Sequence, residues 1–392
     1  WSTITKILNA VFGFISVPLL IGSFGKADYG VLSIATACNS YMHLMDLGMN
    51  TGAVKFFSQW RANGEIALLN RVARTNLSFY LIISIINAIL LVLIGEFGEH
   101  FFSITHNEFL QLRICLYILA LFSVLSWAST TYNQLLIADK QIAYTQVINS
   151  ILIVLKFMLI YILYYMQFSL SLYFFILSLI MALYVFPLAY RCKKNKLIES
   201  MIPGFYWSDF RIVLTFSLSI FALSLFQVTA SQSRPIVLSI FAENGADVVA
   251  DYRILEVVPQ LIIMIGGTFS SIFLPQSSYL IAIRDKKKIV DFSLKWTNLT
   301  TIIVATLCIP FMLCSKEVIS AYVGNDYAYL SPWLSVWCFI VLVQMHPTPC
   351  YSLIIAKGKT RSLVLLMAVA CVLSVVVNAS LCRYLSVGST IV

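Results

Sequence analysis

The chain has 392 residues, 60% of them hydrophobic and 11% charged, with a mean hydropathy of +0.89. That composition excludes an ordinary soluble globular domain and makes the bilayer the solvent. The formal net charge of +9 suggests a polyanionic partner such as nucleic acid until its distribution is seen, because it follows the connections between apolar stretches.

Runs of roughly 20 apolar residues, enough to cross a hydrocarbon core about 30 Å thick, predict eleven spans in chain order. They lie near residues 2–24, 29–53, 76–95, 111–137, 142–164, 169–190, 210–240, 249–282, 293–315, 332–355 and 362–384. The first stretch meets the second without a small-residue cleavage site, so it reads as a retained helix and not a signal peptide. Trp1 in first place implies that the natural start lies upstream.

The connections give an orientation. With the N-terminus in the cytoplasm, the cytoplasmic connections hold Lys55, Arg61, Arg71, Arg74, Lys140, the run from Arg191 to Lys196, Arg211, the run from Arg284 to Lys288, Lys295, Lys357, Lys359 and Arg361. The opposite side holds Lys26, Arg113, Lys316 and Arg383. This is a positive-inside asymmetry, and lipid headgroups account for the basic runs without a nucleic-acid partner. The outer connections are short, which weighs against a membrane glycan polymerase or ligase with an external catalytic domain. His100 and His106 lie in one of them without HxxH spacing, which leaves little case for a metal site. The nine cysteines show no CxxC and fall mostly in apolar runs, where they read as small buried hydrophobes.

Self-comparison reveals a repeat. "DYGVL" at 28–32 returns as "DYRIL" at 251–255, and "LLIADK" at 135–140 as "LIIAKG" at 353–358, with similar offsets and equivalent positions at helix starts and turns. The expectation is an all-α polytopic membrane protein with two six-helix lobes around a central cleft, residues 1–208 and 209–392, joined by a basic linker. The second lobe contains five spans, so at least one C-terminal span is expected beyond the sequence.

Ionisable groups inside spans are costly unless they meet water or a partner, so each is a functional candidate. Asp46 lies about 18 residues into its span, roughly 27 Å along a helix, with Asn39 and Asn50 beside it. Lys156 lies in "SILIVLKFMLIYILYYM", among apolar neighbours only. Arg234 precedes Pro235 and shares a helical face with Gln227 and Ser231. Arg253, Glu256 and Gln260 form a similar row, which Pro259 is expected to interrupt; a local Arg253–Glu256 ion pair is the plain alternative. His346 precedes Pro347 and Pro349 in a span expected to be broken, as a proton relay or as a structural hydrogen-bonding group. The deep cations Lys156, Arg234 and Arg253 outnumber the acids Asp46 and Glu256. Arginine forks and a lysine point charge suit phosphate oxygens, so a cationic cleft favours an anionic substrate over cationic drugs. Coupling to an ion, H+ or Na+, falls to Asp46 or Glu256, and the alternative for Asp46 is a pair with a lysine such as Lys156.

The opening "VPLLIGSFGKADYGVLSI", then "LMDLGMNTGAVKFFSQW" and a basic loop, resembles the bacterial polysaccharide biosynthesis flippases that translocate O-antigen repeat units, and "SRPIVLSIFAENGADVVADYRILEVVPQL" resembles their seventh and eighth helices. The resemblance spans essentially the whole chain. That family belongs to the multidrug, oligosaccharidyl-lipid and polysaccharide exporter superfamily. It implies a transporter and not an enzyme, a polyprenyl-diphosphate-linked oligosaccharide moved to the outer leaflet of the bacterial cytoplasmic (inner) membrane, and contact with membrane lipids and other polysaccharide assembly proteins. Asp46 and Gly48 match the family-like "DLG", and Tyr252 the family-like "DY". Ser233 before Arg234 departs from an acid frequent there, which weighs against an ion site at that point. A multidrug or cation antiporter of the same superfamily is the main rival.

Overall fold

Every described element of the computed structural model is a helix, the form in which an apolar chain satisfies its own backbone hydrogen bonds in lipid. The structure describes the backbone of residues 2–200, 202–283, 285–357 and 360–391. Side chains are described throughout these except at 2–4, 219, 220, 222–224, 227, 228, 230, 231, 267–272, 274, 275, 278, 279, 282 and 360–363. The chain forms two compact units, residues 1–247 and 248–392.

The first unit contains α1 (Ser2–Phe24), α2 (Lys26–Met42), a 3-10 turn (His43–Asp46), α3 (Met49–Asn63), α4 (Ile66–Phe97), α5 (His106–Ala138), α6 (Ile142–Met166), α7 (Leu170–Ala182), α8 (Val185–Lys194) and α9 (Trp207–Phe241). Then α10 (Gly245–Ala282) leads into the second unit, with α11 (Lys286–Leu313), α12 (Ser315–Val323), α13 (Ser331–Met345), α14 (Thr348–Ala356) and α15 (Thr360–Leu385). Helical segments fall in each of the expected stretches, which does not by itself make eleven crossings. Among the described residues, eight helical stretches are long and apolar enough to cross a membrane by length and composition; those over 29–53, 210–240 and 249–282 are not among the eight.

Local chemistry explains where helices begin and break. Thr105 caps α5 in a capping box with Glu108, each side chain bonding the other's backbone N–H. The break expected at His346 is present between α13 and α14, where Pro347 has no N–H to continue the ladder. Three expectations need correction. The span 169–190 is divided between α7 and α8 by a turn at Leu183 and Tyr184. The span 29–53 is not one helix: it breaks at Leu47 (φ 52°) and Gly48 (φ 74°), both left-handed. Pro259, expected to interrupt its helix, lies inside a continuous α10; a proline in a membrane helix is tolerated where neighbours satisfy the freed groups.

The break after α2 sets α3 against α9. A Cβ on Gly48 would lie 2.5 Å from the Ser217 carbonyl oxygen, and one on Gly52 would overlap Ser217 Oγ. These glycines therefore let two backbones touch, as small residues do in membrane bundles. The core of this unit joins Phe57 and Trp60 of α3, Val72, Leu77 and Tyr80 of α4, Trp127 and Leu136 of α5 and Leu188 of α8. Ile82, Ile85, Ile89 and Leu93 are exposed along α4; their three-to-four-residue spacing makes a single apolar stripe suited to lipid.

Both repeat copies start helices: Asp28 lies in the first turn of α2 and Asp251 near the start of α10. Compactness and repeat divide the chain differently, because α9 packs on α2, α3 and α4 and so belongs to the first unit.

Candidate functional site

The turn between α2 and α3 carries Asp46 to the buried face of α4. Tyr80 donates its hydroxyl to Asp46 Oδ1 at 2.5 Å, and the Asn50 backbone N–H donates to Oδ2 at 3.1 Å. Gln134 of α5 donates from Nε2 to the Tyr80 oxygen (2.8 Å), and Asn76, one turn before Tyr80 on α4, donates to Gln134 Oε1 (2.7 Å) and to Thr131 (3.3 Å). Tyr80, Asn76, Gln134 and Thr131 are buried, so each bond replaces one to water that burial removed. Tyr80 also stacks on Trp127, whose ring lies beside His43 as well.

This settles what Asp46 touches. It forms no ion pair with Lys156 among the described residues; its partners are a tyrosine and a backbone amide. Lys156, on α6, has its ammonium 5.8 Å from the Phe12 ring of α1, and no carboxylate meets it among the described residues. Sequence reasoning named Asp46 but missed Tyr80, Gln134 and Asn76. Their signal was spacing: Asn76 and Tyr80 are four apart and Thr131 and Gln134 three apart, each pair on one helical face.

Arg234 lies within α9, with its Nε buried and without a hydrogen-bond partner among the described residues. Asn39 is half-buried on α2 and Asn50 is exposed on α3. The side chains of Gln227 and Ser231 lie outside the described residues, so the expected polar face around Arg234 is not described.

In the second unit Arg253, Glu256 and Gln260 do come together. Arg253 Nη1 donates to Glu256 Oε2 at 2.6 Å, while Tyr252 (3.0 Å) and Gln260 (3.2 Å) donate to Oε1. The local ion pair is therefore present. His346, exposed at the α13–α14 break, bonds through Nδ1 to Thr301 Oγ1 at 2.7 Å.

A cavity of about 560 Å³ opens in the first unit between the last turns of α2 (from Cys38), the C-terminal part of α4 with the turn reaching Phe102, and α9 from Ser233 to Ile240. Its walls are almost wholly apolar. The turn is fastened to α9 through Ser103, whose N–H donates to Ser239 O and whose Oγ donates to Ile240 O, while its carbonyl accepts from Gly245 N, all at 2.7 Å.

The family profile described as polysaccharide biosynthesis protein matches residues 1–280. No curated protein sequence matches the chain. Among solved structures, an inward-facing multidrug resistance MATE family transporter of the MOP superfamily aligns with a TM-score of 0.79 at 14% identity, over 99% of this chain and 89% of that one. The lipid II flippase MurJ, in an inward closed conformation, aligns with a TM-score of 0.71 at 12% identity, over 99% and 83%. The MATE multidrug transporter DinF-BH aligns with a TM-score of 0.65 at 14% identity, over 98% and 88%. These likenesses establish the fold.

Proposed function

The chain belongs to the polysaccharide biosynthesis protein family, and from that premise we propose that it is a flippase for a polyprenyl-diphosphate-linked oligosaccharide. In this reading it works by alternating access of two six-helix lobes in a bacterial cytoplasmic membrane, with the N-terminus inside and eleven spans in this sequence. The physical need is plain: sugar hydroxyls and a diphosphate lose their hydrogen bonds in hydrocarbon unless protein groups replace water. The observation that carries the reading is a pair of cations placed deep in apolar helices without carboxylate partners among the described residues, Lys156 and Arg234. Cations so placed are stabilised when an anion arrives, and an anionic headgroup is the cargo that supplies it. Arg253 is bound to Glu256, so its part in holding the headgroup requires that pair to open. Coupling to H+ or Na+ is assigned to Asp46, with Glu256 held by its own ion pair.

A strain lacking the protein should accumulate lipid-linked oligosaccharide in the inner leaflet and lose surface glycan. Unchanged glycan, with no such accumulation, overturns the reading. The rival, exchange of drugs for cations, is favoured by the multidrug transporters among the structural neighbours and by the carboxylate of Asp46. It requires the same strain to become drug-sensitive while its surface glycan stays normal.

A further inference from the structure

We propose that the apolar cavity between α2, α4 and α9 is the seat of the substrate's isoprenoid tail, with the diphosphate held beside it at Arg234. This rests on the flippase reading and gives the lipid half of the cargo a place in the protein.

Size and lining narrow the occupant. At about 560 Å³ the space is several times an apolar cavity of about 150 Å³, which stays dry and takes up benzene, so it has room for about four five-carbon isoprene units. The rings of Tyr41, Phe97 and Phe101 and the chains of Met42, Leu93 and Ile236 offer few polar atoms to hold water. The wall is open to the surroundings at Leu93 and Phe101, 44% and 67% exposed, so a chain can enter from the bilayer.

Charge decides between an isoprenoid and an ordinary phospholipid. Ser233 lines the cavity; Arg234, the next residue of α9 and not itself part of the lining, carries a buried Nε that has no hydrogen-bond partner among the described residues. Arg234 lies seven residues before the end of α9 at Phe241, about 10 Å along the helix axis. A phospholipid keeps its phosphate at the membrane surface, whereas a headgroup in transit carries its phosphates to that depth. A single chain with a diphosphate at one end suits both observations on α9, the apolar cavity and the unpartnered Nε one residue from its lining.

The test uses the full chain in phosphatidylcholine nanodiscs and a benzophenone-bearing geranylgeranyl diphosphate as probe. After irradiation, crosslinks are expected within residues 38–42, 90–102 and 233–240. Unlabelled geranylgeranyl diphosphate should suppress them, and dioleoylphosphatidic acid at equal concentration should not. Ile236→Trp, which fills the cavity, should weaken labelling roughly tenfold, the equivalent of about two excluded methylenes. Leu93→Trp, at the exposed wall, should do the same at an unchanged melting temperature and serves if Ile236→Trp fails to fold. Arg234→Met should abolish the advantage of geranylgeranyl diphosphate over geranylgeraniol as competitor. Crosslinks that map elsewhere overturn the proposal, and equal competition by phosphatidic acid hands the cavity to bilayer lipid. Lost surface glycan in the deletion strain without labelling of the cavity sinks the tail site alone. Labelling of the cavity with normal glycan upholds the site and sinks the flippase reading.

Discussion

The Tyr80 hydroxyl is the joint of the buried network: it gives its proton to Asp46 and receives one from Gln134. Tyr80→Phe keeps the ring on Trp127 but leaves both partners short of a bond, so thermal unfolding in detergent should show a loss of about 1–3 kcal/mol. Gln134→Leu should cost a similar amount, and the double variant less than the sum, because both substitutions cut the same chain of bonds. Lys156 behaves in the opposite way. Its ammonium meets a ring and no carboxylate among the described residues, so Lys156→Met should leave the melting temperature equal or higher while export falls by roughly tenfold, the equivalent of one lost charge-assisted bond. A fall in both at once would make Lys156 a structural residue. Asp46 was legible in the sequence because a carboxylate stands out in an apolar run. Its partner Tyr80 was legible only as part of a polar helical face with Asn76; which residue of that face meets a carboxylate 34 residues away is set by tertiary packing.

Helices were legible for an equally physical reason: in hydrocarbon, every apolar run of sufficient length has one way to satisfy its backbone. Breaks were legible only where chemistry forces them, as Pro347 does between α13 and α14. The break at Leu47 and Gly48 comes from the approach of α9, and the prolines within α9 and α10 leave those helices continuous. The close approach of α3 and α9 predicts a distinction between two glycines. Gly52→Ala meets the Ser217 hydroxyl and should destabilise by about 1–3 kcal/mol, with most of the loss recovered when Ser217→Ala is added. Gly48→Ala meets the Ser217 backbone from a left-handed conformation, so the same second substitution should recover little. Equal rescue of both in thermal melts would show that the two helices separate more easily than their contact implies.

For the whole molecule, the charge asymmetry of the connections makes a directional prediction. In a cysteine-free background, Lys194→Cys and Lys287→Cys should react with a membrane-impermeant maleimide only after the cytoplasmic face is opened, and Glu99→Cys should react in intact spheroplasts. The reverse pattern would invert the topology and with it the direction of transport.

The three bonds on Ser103 carry a mechanical consequence. Two of them tie the turn after α4 to the far end of α9 and the third ties it to Gly245 at the start of α10, so Phe101 and Phe102 are fastened to α9 although they are the covalent continuation of α4. Any swing of α9 therefore carries one aromatic wall of the cavity along as freight.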